Sequence, residues 1–142
     1  ILKELVNNFP QDHIQFEGQL RLGMLYLIQK KFGEAVAALS AAVRSPEEKV
    51  ASQAQFKLGE AYLAAGNRES ALLQFSTVVY LYPHHSDIME EALLKLGTLY
   101  LEEKKMVEAG QVYRKLLEKS RREDRRAVAR KMLNQISQEN IR

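Results

Sequence analysis

Apolar residues recur three and four positions apart over most of the chain, the interval that gathers them on one side of an α-helix. The pattern predicts helices over 1–8, 12–30, 33–44, 46–65, 68–81, 86–103, 106–120 and 123–138, an all-α fold. Within it one arrangement is written three times. Leu22-Gly23-Met24-Leu25-Tyr26-Leu27 matches Leu58-Gly59-Glu60-Ala61-Tyr62-Leu63 and Leu96-Gly97-Thr98-Leu99-Tyr100-Leu101, at spacings of 36 and 38 residues. Ala35, Ala71 and Ala109 follow in the same register, then Leu39, Phe75 and Tyr113. Pro10, Pro46 and Pro83 recur at 36 and 37 residues.

Helix pairing explains the pattern. In each unit the Leu and the Tyr four residues on share a face. The Gly beside the Leu, having no side chain, lets a second helix approach. The Ala is expected to be the small partner at that crossing, with the bulky residue four positions later filling the space beyond. The three Tyr are therefore core positions. Gly33 and Gly66 are expected to supply the left-handed residue between paired helices. Ser45-Pro46-Glu47-Glu48 reads as an N-cap, a first-turn Pro and a capping-box Glu, and Ser86 as a weaker start signal.

The Leu-Gly-x-x-Tyr, Ala and Phe/Tyr series closed by Pro resembles the tetratricopeptide repeat. The period is longer than the family's 34 residues. Gln19, Gln55 and Leu93 stand where members often carry an aromatic, and Lys104-Lys105 replaces a turn Gly in the third unit. The resemblance implies a right-handed superhelical stack of antiparallel helix pairs in one domain, 1–142. Repeats then occupy 12–45, 46–82 and 83–120. Residues 1–10, with Leu2, Leu5 and Phe9-Pro10, read as the remnant of a preceding repeat. Residues 123–138, which lack the Leu-Gly-x-x-Tyr set, read as a capping helix with Val128, Met132, Leu133 and Ile136 on one face. An uncovered first helix would favour weak self-association. The long connection Tyr82-Pro83-His84-His85-Ser86 and Phe9-Pro10 look like a bacterial subgroup that includes the Tol-Pal cell-division coordinator and the outer-membrane assembly lipoprotein. That likeness would place the chain in the cell envelope or periplasm.

In this fold the first helix of each unit lines a concave groove. The resemblance thus implies a scaffold holding a protein or peptide on Leu20, Arg21, Met24 and Leu27, on Phe56, Lys57, Glu60 and Ala64, and on Leu94, Lys95, Thr98 and Glu102. Arg21, Lys57 and Lys95, each just before the Leu of its unit, would form a cationic column suited to an acidic peptide or carboxylate. The family's carboxylate clamp, with Asn and Lys at neighbouring positions, is missing. Leu20, Met24, Phe56 and Leu94 stand there instead.

Charge adds an alternative. The net +3 divides into −3 over residues 1–113 and +6 over 114–142. Arg121, Arg122, Arg125, Arg126 and Arg130, with pairs four apart on one helix face, could neutralise phosphates of nucleic acid or an anionic membrane. No aromatic lies among them to stack on bases, so this partner ranks below a protein. Composition narrows the chemistry further. With no Cys, thiolate catalysis, disulfides and thiolate-held zinc are excluded. No apolar run reaches the ~18 residues of a membrane span. His84-His85 are neighbours that cannot face each other, so they read as a solvated loop rather than a metal site. Glu90-Glu91 and Glu102-Glu103 read as adjacent acids on solvated helices, not opposed acids in a cleft. No phosphate loop, nucleophile elbow or two-His helix motif occurs. The sequence thus reads as a non-enzyme without cofactor or metal.

Overall fold

The computed structural model describes residues 13–141, which form seven helices. The segment 1–10, and the self-association expected of it, lie outside the described residues. The helices are α1 His13–Ile28, α2 Phe32–Ala42, α3 Glu48–Ala64, α4 Arg68–Leu81, α5 Ser86–Glu102, α6 Met106–Lys119 and α7 Glu123–Ile141. Their bounds agree with the predicted ones to within three residues, but two start signals act differently from their reading. Ser45 does not cap α3. Its Oγ accepts from Glu47 N at 3.1 Å in a local turn, and Pro46 precedes a helix that begins at Glu48. Ser86 is the first residue of α5, not its cap, which is His85.

The turn inside each pair is the same hydrogen-bonded device three times. The left-handed residues are Lys30 (φ 60°), Gly66 (φ 86°) and Lys104 (φ 60°), 36 and 38 positions apart like the repeats themselves. After each, the next residue's N–H donates to the carbonyl of the repeat Tyr: Lys31 to Tyr26 at 2.8 Å, Asn67 to Tyr62 at 2.8 Å and Lys105 to Tyr100 at 2.9 Å. This six-residue closure is a Schellman cap. Gly33 has no part in it. It lies in the first turn of α2, and Lys30 takes the left-handed place, because the closure counts back to the Tyr carbonyl. A left-handed Lys costs about 1–2 kcal/mol. Lys104→Gly should therefore raise the unfolding free energy by about 1 kcal/mol in a urea titration. A loss of stability would show the turn to be held otherwise.

Within each pair the glycine meets the bulky residue itself. A Cβ built on Gly23 would fall 2.5 Å from Leu39 Cγ, and one on Gly59 2.7 Å from the Phe75 ring. One on Gly97 would strike the Tyr113 ring. The expectation is thereby refined. Ala35, Ala71 and Ala109 are fully buried, yet it is the large side chain that rides over the Gly.

The core is three clusters in a row. The first joins Leu20 of α1 to Leu39 and Ala42 of α2 and to Val50, Leu58 and Ala61 of α3. The second joins Phe56 of α3, Phe75 and Val78 of α4, and Ala92, Leu96 and Leu99 of α5. The third joins Met89 and Leu93 of α5, Tyr113 and Leu116 of α6, and Ala129 and Ile136 of α7. The repeat tyrosines are half-buried at the seams: Tyr62 packs against the first two clusters and Tyr100 against the last two. Gln55, where an aromatic was to be looked for, is buried, and its amide donates to Gln74 in the paired helix.

Each helix packs on its neighbour in sequence. The first helices α1, α3 and α5 also touch one another, whereas the second helices α2, α4 and α6 do not. This is the geometry of a curved stack with first helices on the inner side, an all-α helical-repeat solenoid.

Candidate partner-binding groove

The inner face carries the expected residues unevenly. Met24 is exposed on α1, and Lys57 and Glu60 are half-buried on α3. On α5 Lys95 is half-buried and Thr98 exposed, its Oγ1 donating to Leu94 O at 3.0 Å. Leu20 and Phe56 depart from the expectation. They are 5% and 4% exposed, Leu20 in the first cluster and Phe56 tilted on Phe75 with ring centres 5.3 Å apart. One position along a helix turns a side chain by about 100°. That separates these two core residues from the Arg21 and Lys57 that follow them. Leu94 is half-buried against the third cluster.

The cationic column is largely compensated. Arg21 pairs with Glu17 at 3.0 Å on its own helix. Lys57 reaches Glu60 at 2.9 Å and Lys95 reaches the same carboxylate at 3.8 Å, so two lysines share one acid across the α3–α5 seam. Crevices open between successive repeats. One of ≈ 390 Å³ lies among Met24, Leu27, Ile28, Phe32, Lys57, Glu60 and Ala64. Another of ≈ 370 Å³ lies among Leu63, Arg68, Lys95, Thr98, Leu99 and Glu102. Ile28, Phe32 and Arg68 lie just past the inner-face positions that the Leu-Gly pattern marks. They were therefore not legible as groove residues.

Two tetratricopeptide repeat family models match the chain, over residues 20–86 and 91–121. The chain belongs to the tetratricopeptide repeat family. Comparison with curated proteins finds no match. Tetratricopeptide repeats generally mediate protein–protein interaction and are typically non-catalytic scaffolds.

In this tetratricopeptide repeat protein the basic C-terminal run is mostly consumed internally. Arg125 is not on a basic face at all. It is 7% exposed and pairs with Glu90 at 3.4 Å, with Glu91 at 3.7 Å and with Asp87 at 3.9 Å, and it donates to Asp87 O at 3.3 Å. Glu90 is likewise 4% exposed, which corrects its reading as a solvated acid. Arg122 binds Asp124 at 2.8 Å, Arg126 and Arg130 both reach Glu123, and Arg126 also donates to Leu117 O. Arg121 is exposed and makes no ion pair among the described residues. In the loop, His84 is exposed and His85 Nε2 meets Glu48 Oε2 across the repeat seam at 3.1 Å in an exposed contact.

At the second turn edge Arg68 holds Glu102 at 2.9 Å, Glu103 at 3.4 Å and Leu99 O at 3.2 Å, while Lys105 holds Glu103 at 3.2 Å. Lys105 and Arg68 lower the Glu103 pKa below the usual carboxylate value. A carboxyl lowered on folding stabilises above its unfolded pKa, and that share is lost as pH falls through the lowered value. Glu103→Gln should therefore flatten the melting-temperature profile below about pH 4.5 and leave its slope at neutral pH alone. An unchanged acid limb would show that the cluster contributes nothing to acid sensitivity.

Proposed function

We propose that this tetratricopeptide repeat protein is a non-catalytic scaffold that holds a peptide or protein segment along its inner face. Arg21, Met24, Lys57, Glu60, Lys95 and Thr98 are the contact residues. The observation that carries the reading is the row of inter-repeat crevices opening beside shared ion pairs. Apolar anchoring and polar alignment then lie side by side, the combination from which specific interfaces are built. The compensated arginines of α7 count against phosphate docking. Within the family, the likeness to bacterial cell-envelope members rests on the long connections alone. The three repeats 12–45, 46–82 and 83–120 with 123–138 as cap are part of the same reading.

Selection from a phage-displayed random peptide library on the immobilised protein tests this. Enriched peptides should bind the free protein in solution, and Lys57→Glu should weaken them severalfold, since an acid then stands where the groove offered a cation, at a cost to the melt of only the few tenths of a kcal/mol (~0.2–0.5) of a like-charge helix pair. Peptides bound equally by Lys57→Glu would place the site elsewhere. A selection that enriches nothing would refute the scaffold reading.

A further inference from the structure

The two groove crevices occupy equivalent places in successive repeats. Leu27 corresponds to Leu63, Phe32 to Arg68, Lys57 to Lys95, Glu60 to Thr98 and Ala64 to Glu102. Their chemistry differs at three of these places, Phe32/Arg68, Glu60/Thr98 and Ala64/Glu102. In the later crevice Arg68 and Glu102 bridge the walls with an ion pair at 2.9 Å. In the earlier one the same positions are Phe32 and Ala64, with no charge and no bridge, and Ile28 beside them is 79% exposed. The earlier crevice thus has Phe32 and Ala64 where the later one carries its bridging ion pair, while Lys57 and Glu60 remain paired on the α3 wall. A volume of ≈ 390 Å³ exceeds the volume of one large apolar side chain and reaches the range of ligand pockets.

Charge around the earlier crevice is unbalanced. Lys57 and Lys95 converge on the single carboxylate of Glu60, which leaves one positive charge unmatched. Lys30 and Lys31, in the turn that joins Ile28 to Phe32, are exposed and without an ion pair among the described residues. On the inner helices Glu17 is paired with Arg21 and Glu102 with Arg68, while Glu91 shares Arg125 with Glu90 and Asp87.

We infer that the crevice between α1 and α3 is the anchor site of the groove, taking a large aliphatic or aromatic side chain of a partner whose adjoining residues are acidic. Phe32, Ala64 and Ile28 set the apolar selectivity, and Lys57, Lys95, Lys30 and Lys31 set the preference for carboxylates. The inference rests on the groove reading and narrows it to one crevice and one class of sequence. It also explains why two equivalent crevices would not compete for the same anchor: the later one is already bridged by its own ion pair.

The same peptide library serves as probe, with three variants. Phe32→Arg/Ala64→Glu transplants into the earlier crevice the ion pair that the equivalent positions Arg68 and Glu102 form in the later one. Ile28→Ser trims an exposed side chain at small cost to folding, and Val107→Ser does so on α6 at a side chain 67% exposed. Selected peptides should share a large apolar residue flanked by Asp or Glu. The ion-pair transplant should weaken them about tenfold or more, the equivalent of losing one buried apolar side chain. Ile28→Ser should weaken them severalfold, and Val107→Ser should change nothing. Circular dichroism melts of all three should overlay the parent's within a few degrees. Peptides that bind but ignore both the transplant and Ile28→Ser would overturn the anchor crevice and leave the groove reading standing. Peptides with an apolar residue but basic flanks would overturn the charge half. A library that enriches nothing on the parent protein would remove both readings.

Discussion

Replacing Arg125 by Met should destabilise the protein by about 3–5 kcal/mol, because it strands a buried carboxylate. Glu90 is 4% exposed, its Oε1 has no hydrogen-bond partner, and the Arg125 guanidinium at 3.4 Å is its compensating charge. The effect belongs to the unpaired acid, not to the ion pair's net worth. Arg125→Met/Glu90→Met should therefore recover most of the loss, since well-packed apolar replacements of buried ion pairs are often neutral or stabilising. Urea titrations of the three variants decide the matter. If the single variant costs under about 1 kcal/mol, the pair is solvated and adds nothing of consequence to the apolar contact between α7 and α5.

Phe75→Ala should cost about 3–5 kcal/mol as a fully buried aromatic deletion. Its coupling to Gly59 is the sharper result. A Cβ on Gly59 would fall 2.7 Å from the Phe75 ring, which has no exposed side to retreat to. Gly59→Ala alone should therefore lose about 1–3 kcal/mol by overpacking, despite the ~1 kcal/mol that Ala gains over Gly in a helix. In the Phe75→Ala background the clash is gone, and Gly59→Ala should be neutral or stabilising. A double-mutant cycle measured by denaturant unfolding should show a coupling of at least about 1 kcal/mol. Additive effects would mean that the two helices part freely.

What the sequence made legible was whatever the repeat wrote three times. Leu22, Leu58 and Leu96 with their glycines and tyrosines located the helix pairs, and Leu39, Phe75 and Tyr113 proved to be the residues lying over those glycines. The failures came where a position is decided by backbone closure or by a distant partner. Gly33 looked like the turn residue because it is a glycine, yet the cap counts back to the Tyr26 carbonyl and puts Lys30 there. Leu20 and Phe56 were one step out of register for the groove, an error too small for a pattern read without a structure. Arg125 resembled its neighbours in the basic run until folding brought Glu90 to it. Phe32 and Arg68 were hidden because their contrast appears only when equivalent crevices are laid over one another.

The seam tyrosines have a consequence for how the molecule comes apart. Tyr62 is the side chain that packs against both the first and second core clusters, and Tyr100 packs against both the second and third. In a one-dimensional stack, the free energy at such seams sets whether neighbouring repeats melt together or in turn. A half-buried residue of this kind carries cooperativity more than it carries stability. Truncating Tyr62 would then act as a break in the chain of communication. The first cluster, which ties α1 and α2 to α3 through Val50, Leu58 and Ala61, would open apart from the others, amide protons of α1 and α2 would exchange ahead of those of α5 and α6, and a single unfolding step would broaden or separate into two.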